Sequence, residues 1–174
     1  MTLPLLSQVD MILVPPRKIR QCASEVFVTN GAEAEGLGLS SVDHFFRECF
    51  FGIELYPTQG SRIVVSRLLK TASDDEVKNF LMEQAGAPVA LTTLDELRFV
   101  LAQQPATQRG PLIRGSEDRN RFFIRDYYGS IRVVSVHSNG RRGAWSVEAH
   151  ELGKQRHNSF DMVFSLAESR NTCE

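Results

Sequence analysis

The sequence predicts an α+β fold in which amphipathic helices pack on a mainly antiparallel sheet ending in a three- to four-stranded meander. Three observations carry this expectation. Apolar residues recur at helical spacing through Val42, Phe45, Phe46, Cys49 and Phe50, and again through Leu94, Leu97, Val100 and Leu101. Two capping boxes, Ser73 with Glu76 and Thr93 with Glu96, announce helix starts, because each side chain of the pair satisfies a free backbone donor of the other residue. Between Phe122 and His150 the apolar period shortens to that of strands. At 174 residues, one domain spanning 1–174 is expected, with the loop 103–120 as the natural seam.

Residues Leu3 to Val14 suit a short helix or a strand, which Pro15 and Pro16 end. Glu25 to Val28 is predicted as a strand running into the turn residues Thr29, Asn30 and Gly31, and Gly31 to Gly38 as a loop. Ser40 or Ser41 is predicted to cap the helix of the first apolar stripe, and Gly52 to stop it. Ile53 to Tyr56 and Arg62 to Leu69 follow as strands, a pair that could join across Pro57, Gln59 and Gly60. The first capping box opens a helix through Ala85 that Gly86 ends, and the second opens one that Pro105 ends. The polar loop from Gln103 to Asn120, with two glycines and two prolines, is the expected mobile or ligand-facing segment. Phe122 to Asp126, Ile131 to Val136 and Ala144 to His150 form the meander, turned at Tyr128-Gly129 and Asn139-Gly140, and Met162 to Leu166 adds a fourth strand.

Composition bounds the function. With 20 basic and 21 acidic residues, the formal charge of −1 supplies no global field toward nucleic acid or an anionic membrane. Cys22, Cys49 and Cys173 match neither a disulfide framework nor a zinc site, which suits a reducing cytosol. The first 16 residues lack the basic start and small-residue cleavage site of a signal peptide, and no run of about 18 apolar residues suggests a span. A cytoplasmic protein without cofactor is expected. His44, His137, His150 and His157 include no short-spaced metal-ligand pair. The glycines Gly31, Gly36 and Gly38 match no phosphate-binding loop, and Glu33 and Glu35 would repel a phosphate.

The pattern Asn120-x-Phe122-Phe123-Ile124-x-Asp126-x-x-Gly129-x-Ile131-Arg132-x-Val134, followed by Trp145-x-Val147-x-Ala149 and Val163-Phe164-Ser165, resembles a family of small uncharacterised proteins from uncultivated, reduced-genome bacteria. The preceding capped helix at Ser73 to Ala85 and the Thr93 to Leu97 helix start are similar too, so the resemblance covers about Arg62 to Ser165. The tail departs from it, since the family often carries a second tryptophan near Asn158 to Phe160. The resemblance implies a compact fold and a bacterial or mobile-element origin, and lends no catalytic residue.

Charge divides unevenly along the chain. Residues 1–102 hold 9 basic and 13 acidic residues and residues 103–174 hold 11 and 8, giving −4 and +3. Arg109, Arg114, Arg119, Arg121, Arg125, Arg132, Arg141 and Arg142 are interleaved with Phe122, Phe123, Tyr127 and Tyr128, the mixture that contacts phosphates and stacks on bases of single strands. A solvated face explains the same arginines, and no RNA-binding motif accompanies them. A non-enzymatic binding module for a protein or single-stranded nucleic acid is therefore the first expectation, with Arg109, Arg114, Arg119, Arg121, Arg125, Arg141, Arg142, Tyr127 and Tyr128 as contacts. Charge reversal at Arg114, Arg119 and Arg121 is then expected to weaken binding without unfolding the domain. The alternative is a hydrolase or transferase using His137 and Glu148, which share the meander face with Ser135, Ser146 and His150. That face otherwise reads as polar and solvent-facing, with His137 and His150 about 20 Å apart. A third expectation is a small-molecule pocket between the sheet and the helices.

Overall fold

A computed structural model describes residues 4–29, 37–84, 91–104, 106–114, 119–139, 144–153 and 156–167. The Arg141-Arg142 hairpin tip, Gly86, Cys173 and most of the Gly31 to Gly38 loop lie outside the described residues. Among the described residues the fold is mixed α/β, with a seven-stranded, mainly antiparallel sheet and four helices. The strand order is β1-β5-β11-β7-β8-β9-β3, from Leu6–Val14 (β1) through Ser61–Leu68 (β5), Met162–Leu166 (β11), Asn120–Arg125 (β7), Ile131–Asn139 (β8) and Ala144–Glu151 (β9) to Leu39–Val42 (β3). Only β11 against β7 and β3 against β9 run parallel.

Both faces of this sheet are covered. Ile63, Val65, Phe122, Ile124, Val134, Val136, Trp145, Val147 and Phe164 join one core cluster with α1 (Ala23–Val26), α2 (His44–Phe50) and α4 (Leu94–Gln103). Leu68, Phe123, Val133 and Val163, of opposite parity, join a second cluster with Val77 and Leu81 of α3 (Asp74–Gln84). Double coverage explains adjacent apolar pairs such as Phe122-Phe123 and Val133-Val134, which a half-exposed strand would not carry. The described part of the first 60 residues contributes to this core, since Val14, Ala23, Phe27, Leu39 and Phe46 sit in the first cluster.

Several elements follow the sequence closely. Thr93 and Glu96 form their capping box at α4, and Ser73 and Glu76 exchange hydrogen bonds of 2.7 and 3.3 Å at the start of α3. The β7–β8–β9 meander has Val136 opposite Val147 and Val134 opposite Ala149, which places Trp145, Val147 and Ala149 on the valines' face. Its first turn is held by Asp126, whose carboxylate accepts from the amides of Tyr128 and Ser130, while Gly129 takes a positive φ of 83°.

Other expectations are corrected. The strand expected over Glu25 to Val28 is absent, and Ala23–Val26 forms one helical turn, because Glu25 reaches back to the Cys22 amide and closes a box. Ser40 and Ser41 belong to β3, and the α2 cap is Asp43, which accepts from Phe46 N at 2.7 Å. Glu54–Leu55 (β4) pairs with Gln21–Cys22 (β2) instead of β5. Strand β11 does not extend the meander. It inserts between β5 and β7, reached through Arg156–His157 (β10), which pairs with Ala72–Ser73 (β6). Residues 106–114 of the arginine-bearing loop are pinned. Gln104 bonds both the amide and the carbonyl of Leu112 at 2.8 Å, and Ala106 and Leu112 are buried.

Candidate functional site

A cavity of about 820 Å³ opens where the carboxy-terminal end of β7 meets the start of α4 and the β4 segment. Thr92 bridges to Ile124, and its hydroxyl donates to Phe123 O at 3.4 Å, so the strand end fixes where α4 begins. The Thr93 cap then turns the chain into the helix and sends Leu94 inward. The walls are apolar at Ile53, Leu55, Leu91, Leu94 and Ile124, while Tyr56 and Tyr127 stand exposed at the mouth. Gly52 lies under the Tyr127 ring, with only 3.4 Å from the position of an added Cβ to a ring carbon.

Four charged groups line the cavity, and three of them are paired. Glu54 bonds Arg20 and the Tyr56 hydroxyl, Asp95 meets Arg17 at 2.9 Å, and Asp126 meets Arg132 at 2.7 Å. Burial pushes the Asp95 carboxyl up, against the pull of Arg17 and Arg98. Arg125 is the exception. It is exposed and donates to Gly129 O at 3.0 Å, with no carboxylate partner among the described residues. Among the described residues the site therefore offers an apolar interior, two phenol rings and, at its edge, one cation without a carboxylate partner.

The opposite face of the sheet carries a buried polar network. Asp74, at the start of α3, lies 2.5 Å from His157 Nε2 and 3.9 Å from His150 Nε2. His157 Nδ1 is 3.7 Å from Asp161, which in turn pairs with Arg121 Nε at 3.4 Å. Arg121 also donates to the Ser135 hydroxyl. Burial lowers the Arg121 pKa, countered by Asp161. Burial alone would raise that of Asp74, yet the imidazoles of His150 and His157 beside it hold it well below the usual carboxylate range. The expected solvent-facing meander surface is thus corrected in part: α3 covers it at Val133 and His150 and Ser135 is buried, whereas the Glu148 side chain stays half-exposed.

The structure brings His137 and Glu148 together, with Nε2 3.7 Å from the carboxylate. Arg119 shares that carboxylate at 3.6 Å, and burial followed by the nearby Arg119 charge lowers the His137 pKa. The adjacent hydroxyls of Ser40, Ser41 and Ser146 are engaged with one another. The strand register shortens the expected separation of the histidines. His137 faces Ser146 and His150 faces Val133, four residues along, or about 13 Å.

The sequence-predicted arginines do not share one surface. Arg109 and Arg114 are exposed on the loop, and Arg114 donates to Thr107 O. Arg125, Tyr127 and Tyr128 cluster at the far end of β7, with the two rings in a T-shaped contact at 5.4 Å. Arg119 is half-buried at the other end of that strand. Arg121 is 5% exposed and committed to internal partners, so reversing its charge places a new carboxylate beside Asp161 in the interior. The expectation that such a variant stays folded is withdrawn for Arg121. Sequence reasoning did not link His157 to Asp74 and Asp161, whose proximity depends on the β10 crossover. No family model, curated protein or solved structure gives a significant match to this chain.

Proposed function

We propose that the protein is a non-enzymatic binding module whose ligand is a small molecule with an apolar body and an acidic group. The observation that carries this reading is the 820 Å³ cavity, whose volume falls within the range of small-molecule sites and whose polar groups are few. Its apolar walls supply burial, Tyr56 and Tyr127 supply flat surfaces for a ring or chain, and Arg125 supplies charge for a carboxylate or phosphate. The three carboxylates of the lining already have arginine partners, so they do not repel such a group.

A panel of aromatic and aliphatic carboxylates, each with its neutral amide, tests this by ligand-observed NMR. Acids are expected to bind more tightly than their amides. Arg125→Ala should weaken the acids by roughly ten- to a hundredfold, in line with ~1.5–3 kcal/mol for a charged hydrogen bond, and leave amides unchanged. Equal binding of both sets, or binding of neither, overturns the reading.

A single-stranded nucleic acid is the second reading, favoured by the exposed Tyr127 and Tyr128 beside Arg125. It predicts oligonucleotide affinity that falls steeply with salt.

A further inference from the structure

The sheet ends on one side in β1, a nine-residue strand whose only strand partner among the described residues is β5. Its sequence runs Leu6-Ser7-Gln8-Val9-Asp10-Met11-Ile12-Leu13-Val14, with a single charge and no proline or lysine to blunt it. Long apolar edges are ordinarily protected, because their unpaired amides and carbonyls are a template for another strand. Here Val9 is 47%, Met11 48% and Leu13 67% exposed, which is unusual for three large apolar side chains so close together.

The backbone on this edge can be placed from the register. Leu69 N donates to Leu5 O, so that pair is hydrogen-bonded, and hydrogen-bonded pairs then alternate along the ladder. A bulge at Val9 shifts the strand by one residue, leaving Asp10 opposite Val65 and Ile12 opposite Ile63 as the bonded positions. Met11 and Leu13 fall between them. Their amides and carbonyls consequently point away from β5, toward the open edge, and their side chains share the face opposite Ile12.

We propose that this edge is a self-association surface on which a second copy of the chain adds its own β1 antiparallel, about a two-fold axis near Ile12. Met11 of each copy then lies opposite Leu13 of the other, and both positions have the outward backbone groups that such a pair requires, the Met11 amide exchanging its Asp10 Oδ1 acceptor, 2.7 Å away, for the Leu13 carbonyl of the other copy. The pattern is self-complementary. The exposed Met11 and Leu13 of both copies meet on one face, whereas the only charge, Asp10, falls opposite Val14 rather than opposite itself, so no like charges face each other. Pro15 and Pro16, which lack amide donors, bound the pairing at that end. Two seven-stranded sheets would thereby become continuous.

Sedimentation velocity over a concentration series tests this on the full chain. A reversible dimer is expected, and the Met11→Lys/Leu13→Lys double variant is expected to be monomeric while keeping the wild-type circular dichroism. Hydrogen exchange supplies the second readout. The Met11 and Leu13 amides should be protected in the concentrated wild type and lose that protection on dilution or in the variant. A wild type that stays monomeric throughout, a dimer that survives the double substitution, or Met11 and Leu13 amides that exchange freely in the dimer overturns the proposal.

Discussion

Asp74 begins α3, has no solvent exposure and faces two histidines, so its ionisation is tied to the packing of that helix on the sheet. Its folded pKa lies below the ordinary 3.8 despite burial, because His150 and His157 favour the charged form. A depressed carboxylate stabilises the native state fully above its unfolded pKa, and the contribution is lost as pH falls through the folded value. Asp74→Asn should therefore cost about 2 kcal/mol near pH 7, the scale of charge-assisted hydrogen bonds. The gap between variant and wild type should narrow from about pH 4 downward. Urea unfolding at stepped pH checks this, and a gap that stays constant to pH 2 counts against the assignment. Residue types alone foreshadowed little of the network. Parity puts Arg121 on the same face as Phe123, but only the coverage of that face by α3 turns an exposed cation into a buried one. Arg125 lies four residues on with the same parity, and it remains exposed because it lies past the covered region, at the strand end that borders the cavity mouth.

Elements were legible where their signals are local. Capping boxes are such signals, since both partners lie within one turn, and both helices they announced are present. The Thr93 box carries more than helix stability, because it forms part of the cavity wall and sets Leu94 and Asp95 in place. Replacing Thr93 with Ala should cost about 1 kcal/mol. If the proposed reading holds, it also weakens the carboxylates of the test panel, and thermal denaturation with and without such a carboxylate separates the two effects. If stability falls and affinity does not, the cap is structural only. Signals that compete were misread. Two serines ahead of an apolar stripe resemble a cap, yet Ser40 and Ser41 are drawn into β3 by pairing with β9, and Asp43 takes the cap because its carboxylate also reaches Ala149 N at 3.3 Å. The Cys22 turn had no polar cap to announce it beyond Glu25.

On the scale of the molecule, β11 joins what the sequence keeps apart. It pairs antiparallel with β5 and parallel with β7, so among the described residues these five late residues carry the strand pairing that joins the amino-terminal β1–β5 pair to the meander. Its span was legible from its apolar run, but its place was not, since a strand near the end of the chain that follows a meander ordinarily continues it. The long crossover through β10 overrides that preference, because His157 buried against Asp74 anchors the connection on the far face. Phe164 is the centre of the junction, fully buried and stacked on Phe122 with centroids 4.4 Å apart. Phe164→Ala should cost about 3–5 kcal/mol, combining lost burial with an unfilled cavity. Because the stacked pair links both parts of the sheet, the loss should be felt on both sides of it. Trp145, buried in the meander with its indole bonded to Gln104 O, reports one side by fluorescence, and hydrogen exchange in β1 and β5 reports the other. Coincident losses mean that the sheet unfolds as one unit through β11, whereas a β1–β5 pair that opens while Trp145 stays native means that the meander stands without it.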